Sequence, residues 1–174
     1  MTIEDFERLP EVLARNHELV DGELVKVPGN KPPHNRIRDL LVRVLGAFVE
    51  ERQLGIVISE QEFDFSGNAH APDVSFINQA KLPHLDPNLR VQRFVPDLAI
   101  EIASPNDAFG MLAKKAQRYR QCGTEEVWIF SLETRQAFLF SGRRRAILEE
   151  NEEFAPETIP GFAIRIGELL DRCH

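Results

Sequence analysis

Two stretches decide the fold: Asp97-Leu98-Ala99-Ile100-Glu101-Ile102-Ala103 and Val127-Trp128-Ile129-Phe130. The first alternates. Leu98, Ile100 and Ile102 fall on one face of a strand, and Asp97, Ala99, Glu101 and Ala103 on the other. The second is apolar without interruption, the pattern of a strand covered on both faces. Between them, Ser104-Pro105-Asn106-Asp107 supplies turn and helix N-cap chemistry. A helix then runs to about Cys122, with Gly123 as its stop. Strand, helix and strand within 97–130 imply a right-handed crossover between parallel neighbours.

Upstream, residues 34–53 carry one helical stripe: Ile37, Leu40, Leu41, Val44, Leu45, Phe48 and Val49. Residues 56–65 read as a strand with Val57, Phe63 and Phe65 on one face and Glu60, Glu62 and Asp64 on the other. Ser66-Gly67-Asn68 is a turn, and residues 72–77 form a short second strand. The polar, proline-marked excursion over 78–95 is long for a hairpin loop. Near the start, residues 3–15 have mixed helical periodicity, and Asp21-Gly22 between two β-prone runs signals a hairpin over 18–27. Further short strands are expected at about 136–148, and an amphipathic segment from Ile166 to Leu170. The expected architecture is α/β with a mixed sheet (an α+β mixed sheet), in the core order helix, three strands, helix, strand. A hairpin precedes this core, extra strands follow it, and residues 1–174 form one domain with its core at about 34–131.

The 174 residues are 43% hydrophobic and 28% charged, enough to bury a core. No uncharged apolar run approaches the roughly 20 residues of a membrane span. The acidic start, Met1-Thr2-Ile3-Glu4-Asp5, lacks a signal peptide's pattern, and Cys122 and Cys173 have no metal-ligand spacing. A reduced, cytoplasmic chain is the expectation. The net charge of −7 argues against bulk coating of nucleic acid. The excess acid is confined, however: residues 1–25 hold seven acids and two bases, residues 149–157 five acids and no base. The middle, 26–148, has 17 bases and 14 acids.

Glu101 stands between Ile100 and Ile102 in an interior strand, and Asp73 opens the neighbouring one. Buried carboxylates are costly unless paired or metal-bound. Spacing alone leaves two readings: acids at exposed strand ends, or acids that meet where the strands pair and hold Mg²⁺ with water. Lys115 borders the stripe of Leu112, Ala116 and Tyr119, so it either points along the sheet toward the acids or snorkels at the helix edge, whereas Lys114 faces solvent near Arg118. Weaker candidates are Glu18 before the hairpin, His34 at the start of the long helix, Gln61 beside Phe63, His70 near Asp73, and Asp97.

The ordered set of Glu18-Leu19-Val20-Asp21-Gly22-Glu23-Leu24, His34, Ala71-Pro72-Asp73-Val74-Ser75-Phe76, Pro96 through Pro105, Lys115 with Tyr119, Gly123, Val127-Trp128-Ile129 and Pro160-Gly161-Phe162 resembles the Uma2 family of restriction endonuclease-like proteins, also called DUF820. The resemblance spans nearly the whole chain and implies the PD-(D/E)XK nuclease-like fold. It implies that Asp73 and Glu101 are Mg²⁺ (or Mn²⁺) ligands, with the carbonyl of Ile102 as a further one. The lysine of the E-x-K element should fall at Ala103; Lys115 is the matching position on the next helix. Glu18 resembles the upstream acid placed beside the metals. The implied activity is metal-assisted phosphodiester hydrolysis, with Lys115 acting on the attacking water. Nucleic acid, DNA in the first instance, is the implied partner, with phosphate contacts from Arg36, Arg38, Lys114 and Arg118, and by analogy a homodimer. A non-catalytic nucleic-acid- or protein-binding module on the same fold is the alternative.

Overall fold

The computed structural model describes residues 1–104, 109–142 and 144–172. The turn expected at Pro105-Asn106-Asp107, and Arg143, Cys173 and His174, lie outside the described residues. The region of mixed periodicity divides at Pro10 into α1 (Ile3–Glu7) and α2 (Glu11–Ala14). Thr2 and Asp5 close a capping box on α1. The hairpin pairs β1 (His17–Val20) with β2 (Glu23–Lys26) through a two-residue turn. Asp21 (φ 50°) and Gly22 (φ 83°) take the left-handed conformation that such a turn needs. α3 (Pro32–Glu51) starts on its prolines, where no helical N–H is missed.

The segment 56–65 is not one strand. It divides into β3 (Gly55–Ser59) and β4 (Glu62–Asp64), which belong to different sheets. Glu60 between them has φ 53° and is paired with Arg38 of α3 at 2.7 Å. The left-handed residue breaks the period of two, so Val57 packs with α3 while Phe63 and Phe65 join the opposite core. β5 (Ala69–His70) follows the Ser66-Gly67-Asn68 turn, and β6 (Val74–Asn78) returns beside β3. The excursion is ordered by a 3₁₀ turn (Leu82–His84) and by β7 (Val91–Gln92), which adds in parallel to β4. Glu7 accepts from the Arg90 and Val91 amides at 2.6 and 3.0 Å.

β8 (Leu98–Ala103), α4 (Phe109–Gln121) and β9 (Glu126–Ser131) form the expected crossover, with β8 and β9 parallel. β10 (Gln136–Ser141) and β11 (Arg145–Leu148) continue antiparallel. β12 (Glu153–Phe154) and β13 (Ile164–Arg165) pair ahead of α5 (Ile166–Asp171). The main sheet runs β11-β10-β9-β8-β6-β3, so α3, β3, β6, β8, α4 and β9 give the helix, three strands, helix, strand order in a mixed sheet. The smaller sheet runs β2-β1-β5-β4-β7.

Strand alternation sorts the core. Leu98, Ile100 and Ile102 pack with Trp128 and Phe130 against Ile37, Leu41 and Leu45 of α3 and Leu169 of α5. On the other face Ala99, Val127 and Ile129 meet Ala116 and Tyr119 of α4, together with Phe63 of the smaller sheet and Phe65 just beyond β4. Glu101 points to this second face, at the seam between the two sheets. Among the described residues no helix is long and apolar enough to cross a membrane.

Candidate active site

Register brings the two acids together. β6 and β8 pair antiparallel with Val74 opposite Ile100, so one further step along the ladder sets Asp73 opposite Glu101. Asp73 Oδ2 accepts from the Ile102 amide at 2.8 Å and faces His34 Nε2 at 3.2 Å. Glu101, 4% exposed, accepts from the Tyr119 hydroxyl at 2.7 Å and faces Lys115 Nζ at 3.1 Å, both on Oε1. Tyr119 stacks on Phe65 with centroids 4.2 Å apart, which fixes the hydroxyl's direction.

Lys115 points along the sheet rather than out of it. Its ammonium bridges Glu101 on the main sheet and Glu18 on the smaller one, the latter at 2.8 Å. Both Glu18 oxygens are engaged: Oε1 takes Lys115 and the Ala71 amide (3.3 Å), and Oε2 takes His70 Nδ1 at 2.9 Å. The second nitrogens of both histidines, His34 Nδ1 and His70 Nε2, are buried and have no hydrogen-bond partner. A proton on the bonded nitrogen of each ring avoids burying an unpaired N–H, so the neutral tautomers are His34 Nε2–H and His70 Nδ1–H.

The charges respond to this crowding. Burial pushes the Glu101 carboxyl up to about 7; Asp73 and Glu18 add to the rise, while Lys115 and the Tyr119 hydroxyl oppose it. Burial also disfavours the Glu18 carboxylate, but Lys115 and His70 outweigh it, and its pKa falls from 4.5 to about 2. Burial works against the Lys115 ammonium and is overcome by Glu101 and Glu18, so its pKa rises above the ordinary value. His34 is raised as well, because Asp73 outweighs the effect of burial. His70 is lowered, because burial outweighs Glu18. Burial and the Glu101 carboxylate raise Tyr119, which keeps its hydroxyl as a donor.

Asp73, Glu101, Lys115, Glu18, His34, His70 and Tyr119 thus form one cluster, with Ile102 entering through its amide. Other candidates lie elsewhere. Asp97 is at the far end of β8, about 13 Å along the strand from Glu101. It takes Lys81 Nζ at 2.8 Å and the Asn78 amide at 2.7 Å, and so anchors the excursion. The Gln61 amide donates to the Arg90 carbonyl at 2.7 Å rather than reaching the acids, because Glu60 turns the chain just before it. Arg38 is bound to Glu60 and Asp39, and Arg118 to Asp21 and Asn68, so carboxylates already satisfy both guanidiniums. Lys114 is exposed, and exposed Arg36 donates to the Arg172 carbonyl at 3.4 Å. The partners sequence reasoning missed are Asn68 and the Ala71 amide. A turn asparagine carries no signal of a tertiary hydrogen bond to an arginine 50 positions away.

Among the described residues no group of three or more His, Cys, Asp and Glu side chains is arranged to hold a metal ion. The donor chemistry nevertheless fits a hard divalent cation. Asp73 Oδ1 and Glu101 Oε2 accept no hydrogen bond from a described residue, and Mg²⁺ is commonly held by one or two carboxylates while keeping several waters. Glu18, by contrast, has both oxygens in hydrogen bonds or ion pairs.

The Uma2 family model, described as "Putative restriction endonuclease", matches residues 3–167. The chain is similar in fold to the crystal structure of "a putative nuclease belonging to DUF820" from Anabaena variabilis, with 20% identity and a TM-score of 0.88 over 100% of this chain and 99% of that one. A cryo-EM structure of a DrdV–DNA complex matches at 12% identity and a TM-score of 0.43, over 98% of this chain and 13% of that one. No curated protein matches.

Proposed function

This chain belongs to the Uma2 family, and on that premise we propose that it is a divalent-metal-dependent endonuclease hydrolysing phosphodiester bonds of nucleic acid, DNA in the first instance. The observation that carries this reading is the meeting of Asp73, Glu101 and Lys115 at one end of the β6–β8 pair.

Asp73 and Glu101 would hold Mg²⁺ or Mn²⁺, with the Ile102 carbonyl as a further ligand. When bound, the ion supplies Lewis-acid polarisation of the phosphate and acidifies a coordinated water. The chain's own residues do the rest. The Ile102 amide and His34 fix one oxygen of Asp73, leaving the other free. Tyr119 and Lys115, both from α4, fix one oxygen of Glu101. Lys115 is held protonated by two carboxylates, so it acts as a hydrogen-bond donor. It orients the attacking water or meets negative charge developing on the phosphoryl oxygens; it does not accept a proton. Glu18 and His70 aim that ammonium. Cutting both strands of a duplex calls for two such sites, hence a second copy of the chain.

Incubation with plasmid and with oligonucleotides in Mg²⁺ or Mn²⁺ tests the reading. Cleavage is expected from the wild type, with a loss of at least ~100-fold in Asp73→Asn and in Glu101→Gln. Cleavage that persists in both variants overturns the site assignment.

A further inference from the structure

We infer that a second, arginine-lined groove on the far flank of α4 binds the phosphate backbone of nucleic acid, away from the Asp73–Glu101 pair. The groove holds about 480 Å³ and is lined by Gln117, Arg120 and Gln121 of α4 and by Phe140, Arg144 and Arg145 of the β10–β11 hairpin. No carboxylate lines it. Among the described residues no acid pairs with Arg144 or Arg145, although the chain has 28 acids against 21 bases. Like charges gathered without a counter-charge destabilise the free protein and favour an anionic ligand.

The site is shaped as well as charged. Arg120 Nη1 donates to the Thr124 and Glu125 carbonyls, which immobilises the guanidinium. Its Nη2 lies against Gly142, where an added Cβ would come within 3.2 Å, so the glycine leaves room for the Arg120 guanidinium. Guanidinium, amide and aromatic groups together suit a phosphodiester backbone.

α4 links this groove to the cluster. It carries four bases, Lys114, Lys115, Arg118 and Arg120, and no acid. At 100° per residue Lys115 and Tyr119 face the cluster, Arg118 and Lys114 come next around the helix, and Gln121, Gln117 and Arg120 complete the turn at the groove. Basic and amide side chains therefore follow one another around the C-terminal turns of α4, with Met111, 65% exposed, at the N-terminal end of the same face. The chain's net −7 does not oppose this, because the acid excess is concentrated in residues 1–25 and 149–157.

Metal-free binding tests the inference independently of cleavage. The probe is a short fluorescein-labelled DNA duplex in EDTA, followed by anisotropy between about 50 and 200 mM salt. Arg144→Ala/Arg145→Ala is expected to lower the slope of log K against log salt by about one per arginine. At 0.1 M salt that corresponds to binding on the order of 100-fold weaker, for lines that converge near 1 M. Arg144→Lys/Arg145→Lys should keep most of the slope, and both arginines are exposed, so folding is unaffected. An unchanged slope in the alanine variant overturns the inference. So does a wild type that binds no duplex, or one that prefers poly-glutamate to the duplex. Binding through the groove without any cleavage would leave the inference standing and sink the endonuclease reading; cleavage with an unchanged slope would do the reverse.

Discussion

Glu18→Gln isolates the charge that ties the smaller sheet to Lys115 of α4. The substitution keeps the shape of the side chain and removes the carboxylate that binds Lys115, His70 and the Ala71 amide. The folded state lowers this pKa from 4.5 to about 2, a difference equivalent to about 3 kcal/mol in favour of the ionised fold. The sign follows from proton counting. The unfolded chain binds the proton at higher pH than the folded one, so this stability is fully present above the unfolded pKa and is lost as pH falls through the folded one. A Glu18→Gln variant should therefore be less stable by about 3 kcal/mol at pH 7, and by only about 1 kcal/mol at pH 3. Urea unfolding of both proteins at a series of pH values reads the difference directly. Turnover should fall too, because Lys115 is left with Glu101 alone. A penalty under about 0.5 kcal/mol at pH 7, or one that does not shrink in acid, would falsify the assignment of Glu18 as the clamp.

Other consequences are as direct. Asp73→Asn and Glu101→Gln should each weaken Mn²⁺ binding by at least ~10-fold in calorimetry, whereas Glu18→Gln should leave it within about threefold; equal losses in all three would make Glu18 a ligand. Burial pushes Glu62 up to about 7 despite Arg90, so its ionisation opposes folding between pH 4.5 and 7. Relative to wild type, Glu62→Gln should gain about 1–2 kcal/mol on going from pH 5 to pH 8, after discounting for solvent screening; a flat difference refutes it. Gly55 has φ 153°, and a Cβ there would lie 2.0 Å from the Ile77 carbonyl oxygen. Gly55→Ala should therefore cost at least ~2 kcal/mol in thermal or urea unfolding, and a neutral result would mean that the β3–β6 backbone yields freely.

Much of this molecule is legible in the order of its residues. The 98–102 alternation assigned both faces of β8, including the one that carries Glu101. The uninterrupted 127–130 run marked the central strand, and Asp21-Gly22 marked the hairpin. Such features depend on periods of two or 3.6 and on local turn chemistry, which neighbouring residues decide among themselves. Asp73 and Glu101 were readable as candidates because an acid among apolar strand residues stands out. The break at Glu60 was not readable, because a left-handed residue fixed by Arg38 leaves the polar–apolar alternation intact on either side of it.

Tertiary structure decided which charges meet. Lys115 and Glu18 are 97 positions apart and belong to α4 and β1; only the docking of one sheet beside the other closes their 2.8 Å pair. The same docking turns Arg118 toward Asp21, and α3 turns Arg38 toward Glu60, so both guanidiniums are paired with exposed carboxylates. It also sets Arg120 beside Arg144 and Arg145, a basic surface that no short window displays. The amino-acid sequence by itself determined the elements and the faces they bury, because burial follows a local period. Which carboxylate receives which cation was left to strand register and helix placement, because Coulomb energy depends on distances of a few ångströms that no sequence spacing encodes.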